Sequence, residues 1–272
     1  MLIGLRDLHG MTIIGLDGEV GHVDEVLFDD QQWTVRYLIV VTGHWLNSRK
    51  VLISPLAFGA PDWYGRMLNV NLTLDQVGDS PDVDSDKPVS RQWEMLYHNY
   101  YGWPYYWGGM GAWGTYWYPG DLLANSVGDA EVAVRRGGDQ QHALDDVHLR
   151  STKAVTGYGI AATDGDIGQV DNFIVDDVSW QVRYIAVDTR RWWPGKTVLL
   201  PPDWINSIDW PLGNVTVDVT REQIKSAPEW DGNEPVSPEL EDRLNHYYSR
   251  RTRGDSDEAG KTDDSAKKVY VF

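Results

Sequence analysis

The chain has 272 residues, 42% of them apolar, and a formal net charge of −17. That size supports one or two ordinary cores, and the negative field repels phosphate backbones and anionic lipid, which disfavours nucleic acid as a partner. Cysteine is absent, which excludes disulfides and thiolate chemistry.

Taken in order, the N-terminal MLIGLRDLHG has no apolar run of signal-peptide length. No window reaches the ~20 apolar residues of a spanning helix, so a soluble, cytoplasmic chain is expected. Residues 11–16 read as a short strand. Asp17-Gly18 reads as a tight hairpin turn with positive φ at the glycine. Residues 20–28 alternate imperfectly, which suits a small curved sheet. Asp29-Asp30 opens a second turn. Residues 33–41 form a strand rich in β-branched and aromatic side chains. Residues 50–53 form another and Pro55 ends it. A loop carries Pro61-Asp62-Trp63, and residues 67–72 close the unit. A helix is predicted over 90–101, with Trp93, Leu96, Tyr97 and Tyr100 as its apolar face.

This unit occurs twice. DGEVGHVDEVLFDDQQWTVRYLIV begins at Asp17, and DGDIGQVDNFIVDDVSWQVRYIAV begins at Asp164, a displacement of 147 positions. The displacement holds without a gap through Pro55 and Pro202, Trp63 and Trp210, and Tyr101 and Tyr248. About a third of the positions match, so the chain is a tandem duplication of domain-sized units. In the second copy Thr220 and Gln223 form a capping box, Pro228 stops the helical turn, and Ser237-Pro238-Glu239 starts a helix to about Arg250. Leu240, Leu244, Tyr247 and Tyr248 form its apolar stripe. The organisation is therefore a first domain over 1–101, a linker over 102–144, a second domain over 145–250 and a charged, disordered tail over 251–272.

The run YYGWPYYWGGMGAWGTYWYP at 100–119 is uncharged, and half of it is Trp or Tyr. The leading reading is a packed linker whose rings cover one or both units. Trp103, Tyr105, Tyr106, Trp107, Trp113 and Trp117 are also candidates for contact with a membrane surface or for self-association. Residues 121–143 are polar, with a strand suggested at 130–134.

The motif Asp-Gly-Asp/Glu-Val/Ile-Gly-x-Val-Asp, then Asp-Asp, then Trp-x-Val-Arg-Tyr-x-x-Val, resembles the PRC-barrel family. Val-Leu-Leu/Ile-x-Pro and Thr-Arg-Glu-Gln-x-x-x-x-Pro add to the likeness, which covers residues 5–101 and 145–248. The family includes the cytoplasmic domain of the photosynthetic reaction-centre H subunit and the C-terminal domain of a ribosome maturation factor. The resemblance implies a mainly β chain of two small tandem β-barrels, each followed by an amphipathic helix. It also implies a binding or assembly module without a common catalytic residue set. The H subunit's N-terminal membrane helix has no counterpart here, so a photosynthetic role is not implied.

Asp29-Asp30 and Asp176-Asp177 could hold a hard cation, although Asp at a hairpin end more commonly caps local amides. Asp24 with Arg36, and Asp171 with Arg183, are expected to pair across neighbouring strands. Arg36, Arg183 and the loop tryptophans Trp45, Trp63, Trp192, Trp193 and Trp210 are candidates for a partner surface. His142 and His148 lie six residues apart, which fits neither one helical face nor a zinc spacing. No phosphate loop, nucleophile elbow or dinucleotide motif occurs. The expectation is a non-catalytic interaction module without cofactor or metal, with an unidentified protein partner. Peripheral membrane contact, small-ligand or metal binding at the acidic turns, and homodimerisation are the alternatives.

Overall fold

Each copy of the repeat builds a sheet from short runs of β-branched and aromatic residues. The computed structural model describes residues 1–83, 88–125, 148–189, 197–232 and 235–259, side chains 249–259 excepted. The first half contains β1 (Leu2–Gly4), α1 (Leu5–Leu8), β2 (Thr12–Ile14), β3 (Glu19–Asp29) and β4 (Thr34–Thr42). It continues with β5 (Lys50–Ile53), β6 (Phe58–Asp62), β7 (Met67–Val70) and α2 (Leu74–Gly78). Two further helices follow, α3 (Arg91–Tyr101) and α4 (Pro119–Asn125). The second half repeats the order with β8 (Leu149–Ser151), α5 (Thr152–Val155), β9 (Gly159–Ala162), β10 (Gly165–Asp176) and β11 (Val182–Asp188). Then come β12 (Thr197–Leu200), β13 (Ile205–Asp209), β14 (Asn214–Val217), α6 (Arg221–Lys225), β15 (Glu229–Trp230) and α7 (Pro238–Ala259).

The first sheet runs β5-β4-β3-β2-β7-β6 and the second runs β15-β12-β11-β10-β9-β14-β13. The pairs β2–β7 and β9–β14 are parallel; the others are antiparallel. The fold is therefore mainly β with two sheets, but neither hydrogen-bonded path closes on itself, which corrects the expectation of closed barrels. The gap has a local cause. Between β5 and β6 the chain makes a 3-10 turn at Pro55–Ala57, capped by Ser54. Pro55 has no amide to donate, and the Ala57 amide bonds back to Ser54 O at 2.9 Å.

The sheets trade their first strands. β1 precedes the first copy but pairs with β10 of the second, Ile3 opposite Val175. β8 precedes the second copy but pairs with β3 of the first, Phe28 opposite Arg150. Leu2 and Leu149 are equivalent in the repeat, so the exchange is reciprocal. Between them Val35 N donates to Trp180 O at 2.8 Å and Val182 N to Trp33 O at 2.7 Å. Phe28 and Phe173 meet at 5.2 Å between ring centres, and one apolar core runs through both copies. Sheet membership therefore does not follow the repeat boundary.

Local expectations fare unevenly. Capping boxes form at both Thr73–Gln76 and Thr220–Gln223. Gly18 does not adopt positive φ; instead Asp17 Oδ1 accepts Leu74 N at 2.8 Å, and its equivalent Asp164 accepts Arg221 N at 2.7 Å. The glycine requirement falls at Gly21, where φ is +155° and a Cβ would lie 2.1 Å from Val41 O. Residues 58–62, read as loop, form β6. The apolar face assigned to α3 holds at Tyr97 and Trp93 but is corrected elsewhere: Leu96 and Tyr100 are exposed, whereas Glu94 and His98 are buried. The stripe of α7 holds, with Leu240, Leu244 and Tyr248 buried. That helix continues to Ala259, past the expected end at Arg250. The strand suggested at 130–134 and the last 13 residues lie outside the described residues.

Candidate functional site

Two arrangements concentrate the polar and aromatic side chains: a buried network under the linker and an open groove between the copies. The network begins with α3. Ser90 caps its N-terminus by accepting Trp93 N at 3.3 Å, which turns Glu94 and His98, one helical turn apart, towards β4. Glu94 is buried. Its Oε1 accepts from Tyr37 at 3.0 Å and from Tyr106 at 2.5 Å; its Oε2 lies 2.8 Å from Arg91 and 3.0 Å from His148 Nε2. Burial pushes the Glu94 carboxyl up, but His148, Arg91 and Tyr106 together outweigh it, and the group stays below the ordinary carboxylate range. Burial pushes the His98 imidazole down to about 4, so it is neutral at pH 7. Its Nδ1 lies 2.8 Å from the Pro104 carbonyl and its Nε2 lies 3.3 Å from the Tyr37 hydroxyl. Burial likewise raises Tyr37 and Tyr106 well above the usual phenol value, so both remain donors.

Arg36 extends this network under the linker. It is 1% exposed. Its Nη1 donates to Ala112 O at 2.5 Å, its Nη2 sits 3.2 Å from Asp29, and its carbon centre lies 3.8 Å from the Tyr106 ring and 4.9 Å from the Trp113 ring. Nε has no hydrogen-bond partner among the described residues, and the two ring faces supply cation–π contact in its place. The expected pairing with Asp24 does not form; Asp24 pairs with Lys50 at 3.1 Å and Asp171 with Arg6 at 2.8 Å. Arg183, the equivalent of Arg36, is exposed.

The linker rings mostly pack. Trp103 stacks on Tyr101 and Tyr105 on Trp107, each at 4.4 Å, and Arg91 lies 4.3 Å over Trp107. Tyr106 and Trp113 are buried, and Trp113 Nε1 donates to Ser179 O at 2.7 Å, across to the second copy. Trp117, Tyr118 and Met110 are exposed. α4 packs on the Pro55–Ala57 turn, and Pro55, Leu56 and Ala57 are buried.

The equivalent surface on the second copy is open among the described residues. There Trp33, Pro202, Ile205, Ile208 and Trp210 line a groove of about 320 Å³, with Asp30 and Ser207 as its polar members. Arg150 Nε donates to Asp30 at 2.6 Å and its guanidinium lies 4.2 Å over Trp210. Burial raises the Asp30 carboxyl above its ordinary value despite Arg150. Phe58 and Trp180, the counterparts of Ile205 and Trp33, meet edge to face at 4.7 Å. Isoleucine stands here in place of phenylalanine, and among the described residues no linker segment lies above the second surface.

Among the described loop tryptophans, Trp210 lines this groove. Trp45 is part-exposed with Nε1 on Val20 O at 2.9 Å, Trp63 packs on the core, and Trp192 and Trp193 lie outside the described residues. The acidic turns are capped locally: Asp29 Oδ1 accepts Gln31 N at 2.8 Å, and Asp176 Oδ1 accepts Ser179 N at 2.7 Å. No group of three or more potential metal ligands gathers among the described residues. His142 lies outside them; His148 belongs to the Glu94 network. No described helix is long and apolar enough to cross a membrane. Trp33 and Glu94 escaped sequence reading, although Trp33 recurs as Trp180 in the repeat and Glu94 as Glu241.

The family comparison covers part of the first copy. Residues 1–72 match the PRC-barrel domain family. The matched PRC-barrel segment includes β1, which here lies on the other sheet. The second copy repeats the sequence pattern and the strand order of the first. A protein of Deinococcus radiodurans described as uncharacterized is 29% identical over 105 residues, 38% of this chain and 36% of that protein. The chain therefore matches about a third of that relative's length.

Proposed function

We propose that the protein is a non-catalytic interaction module of two PRC-barrel-like units, and that the groove between Trp33 and Trp210 is where a partner docks. The observation that carries this reading is the unequal covering of two equivalent surfaces. On one, Pro55 and Trp180 are buried, with α4 on the Pro55–Ala57 turn and Trp113 bonded to Ser179 O; on the other, their counterparts Pro202 and Trp33 are part-exposed in a groove of indole and aliphatic side chains with one ion pair at its edge. Apolar, aromatic concavities with a charged rim suit recognition. Asp30 is the one titratable group of the groove lining and is engaged by Arg150, so the surface offers contact rather than acid–base chemistry.

Affinity capture from native cells tests this, using the tagged full chain beside an Ile208→Arg variant. The expected result is a stoichiometric partner retained by the parent and lost by the variant. Equal retention by both, or no specific partner, removes the groove from this role.

A second reading rests on Met110, Trp117 and Tyr118, each exposed in the aromatic linker. Rings of this type favour the interfacial layer of a bilayer. Co-sedimentation with neutral vesicles, lost on Trp117→Ser, supports peripheral attachment; no co-sedimentation rejects it.

A further inference from the structure

The aromatic linker is held on the first copy by charged and titratable side chains. From α3, Glu94 Oε1 accepts the Tyr106 hydroxyl at 2.5 Å, Arg91 lies 4.3 Å over the Trp107 ring, and His98 Nδ1 sits 2.8 Å from Pro104 O. From β4, Arg36 donates to Ala112 O at 2.5 Å and covers the Tyr106 ring. His98 is enclosed by the linker: the rings of Trp103, Tyr105, Tyr106 and Trp107 are centred 5.5–6.4 Å from its own, and Tyr97 meets it from the same helix.

The neighbours fix the proton on this ring. Pro104 O can only accept, so the neutral imidazole keeps its hydrogen on Nδ1 and turns the lone pair of Nε2 to the Tyr37 hydroxyl at 3.3 Å. A second proton makes a buried cation. The carboxylates near it are already engaged: Glu94 by Arg91 and His148, Asp29 by Arg36. Two guanidiniums balance those two carboxylates, so a charged His98 is in excess. Burial above all, with Arg91 and Arg36 behind it, outweighs Glu94 and Pro104 O and holds the imidazole at about 4.

The second copy folds without such a cover among the described residues. The counterparts of Glu94, His98 and Arg36 are Glu241, Asn245 and Arg183; the first is part-exposed and the other two are exposed. Tyr184, Leu244 and Tyr248 still pack β11 against α7. The linker, for its part, is built to move as a piece. It closes its own turn through Gly111 N to Gly114 O and Trp113 N to Tyr116 O, both at 2.8 Å. It leaves α3 at Gly102, whose φ is +66° and whose missing side chain faces open space.

We propose that Glu94 and His98 form an acid-released latch, which holds residues 103–118 on the first copy at neutral pH and lets them lift while both sheets stay folded. A protonated His98 reaches water only when the rings around it withdraw. Between pH 6.5 and 4.5 that proton drives release. Below pH 4.5 protonation of Glu94 adds to it, by removing the charge that Tyr106, Arg91 and His148 share. The movement uncovers Tyr106, Trp107 and Trp113. The latch needs no occupant in the groove, so it stands apart from the docking reading.

The chain contains no cysteine, so one introduced thiol is a unique probe. Ala112→Cys places it in the buried part of the linker, and Ala186→Cys places it in the buried β11 of the second sheet. Each full-length variant is treated with a dipyridyl disulfide, a reagent that works in acid. Ala112→Cys is expected to label at least about tenfold faster at pH 4.5 than at pH 7, after correction for the reagent's own pH dependence, while Ala186→Cys stays protected at both. Added to Ala112→Cys, His98→Asn is expected to abolish the rise. Glu94→Gln, which keeps the shape and removes the charge, is expected to speed labelling at pH 7 with an unchanged circular dichroism spectrum. Hydrogen exchange of the unsubstituted chain, comparing amides of residues 103–118 with those of β10 and β11, makes the same comparison if a thiol variant does not fold. No rise in the linker, an equal rise in the second sheet, a rise that survives His98→Asn, or a folded Glu94→Gln that labels no faster at pH 7 overturns the latch.

Discussion

Thr34 and Gln181 face each other in an antiparallel bridge, and they are the same position of the repeat, 147 residues apart. A residue that meets its own equivalent marks a local twofold axis. The exchange of β1 and β8, and the paired bonds from Val35 and Val182, follow from that axis. The two copies therefore form one cooperative structure.

A chain ending at Asn125 is expected not to persist as a folded monomer. It loses β8, which leaves the Leu27–Asp29 edge of β3 unpaired, and β1 loses its partner β10. Light scattering and circular dichroism should show self-association or unfolding, and the full chain should melt in a single calorimetric transition. A folded monomeric fragment contradicts the shared core.

Arg36 and Arg183 are equivalent in sequence and opposite in setting. Arg36→Ala strands Asp29 in a buried site and removes the support of Ala112 and two rings, so a loss of about 3–5 kcal/mol is expected. Arg183→Ala on the exposed face should change stability by no more than about 0.5 kcal/mol. Urea denaturation of the two variants makes the comparison, and equal effects count against the packing role of the linker.

His98 has a folded value of about 4, below the ordinary 6.5, because burial disfavours its charge. The unfolded chain therefore binds the extra proton between those values. The stability is fully present above about pH 6.5 and declines as the pH falls towards 4, by at most about 3 kcal/mol. Glu94 is held below its ordinary value by partners that outweigh burial, so its contribution is present above about pH 4.5 and lost on further acidification. His98→Asn, which installs the residue type of position 245, should flatten the pH 4–6.5 slope in denaturation curves and leave the more acidic one. An unchanged slope in that window removes His98 from the account.

Gly21→Ala forces a Cβ against the Val41 carbonyl at a φ of +155°. A loss of roughly 2 kcal/mol or more is expected, larger than for Gly10→Ala, where φ is +75° but nothing lies within 4 Å. Thermal melts of both separate the steric cost from the cost of the backbone angle.

The repeat, the strand pattern and the caps were readable because they depend on neighbours in sequence. Thr220 caps with Gln223 as its spacing predicts, and Thr73 caps at the equivalent position of the first copy. The exchange of β1 and β8 was not readable, since alternation says that a run is a strand but not which sheet receives it. The face of α3 misled for a physical reason. Glu94 and His98 count as polar, yet Tyr37, Tyr106, Arg91 and Pro104 satisfy them in the interior, and the rings that would otherwise cover that face belong to the linker. The groove depends on an absence of covering, which a pair of matching tryptophans does not signal.

A duplicated unit joined by one connecting segment has an arithmetic consequence. Two equivalent surfaces exist, but there is one linker, and it lies across the first. Two separate copies of a single unit would offer both surfaces and compete by dilution; tethering fixes the pair at a concentration that does not depend on how much protein is present. On the docking reading proposed above, such a molecule would be monovalent, taking one partner per chain rather than crosslinking two.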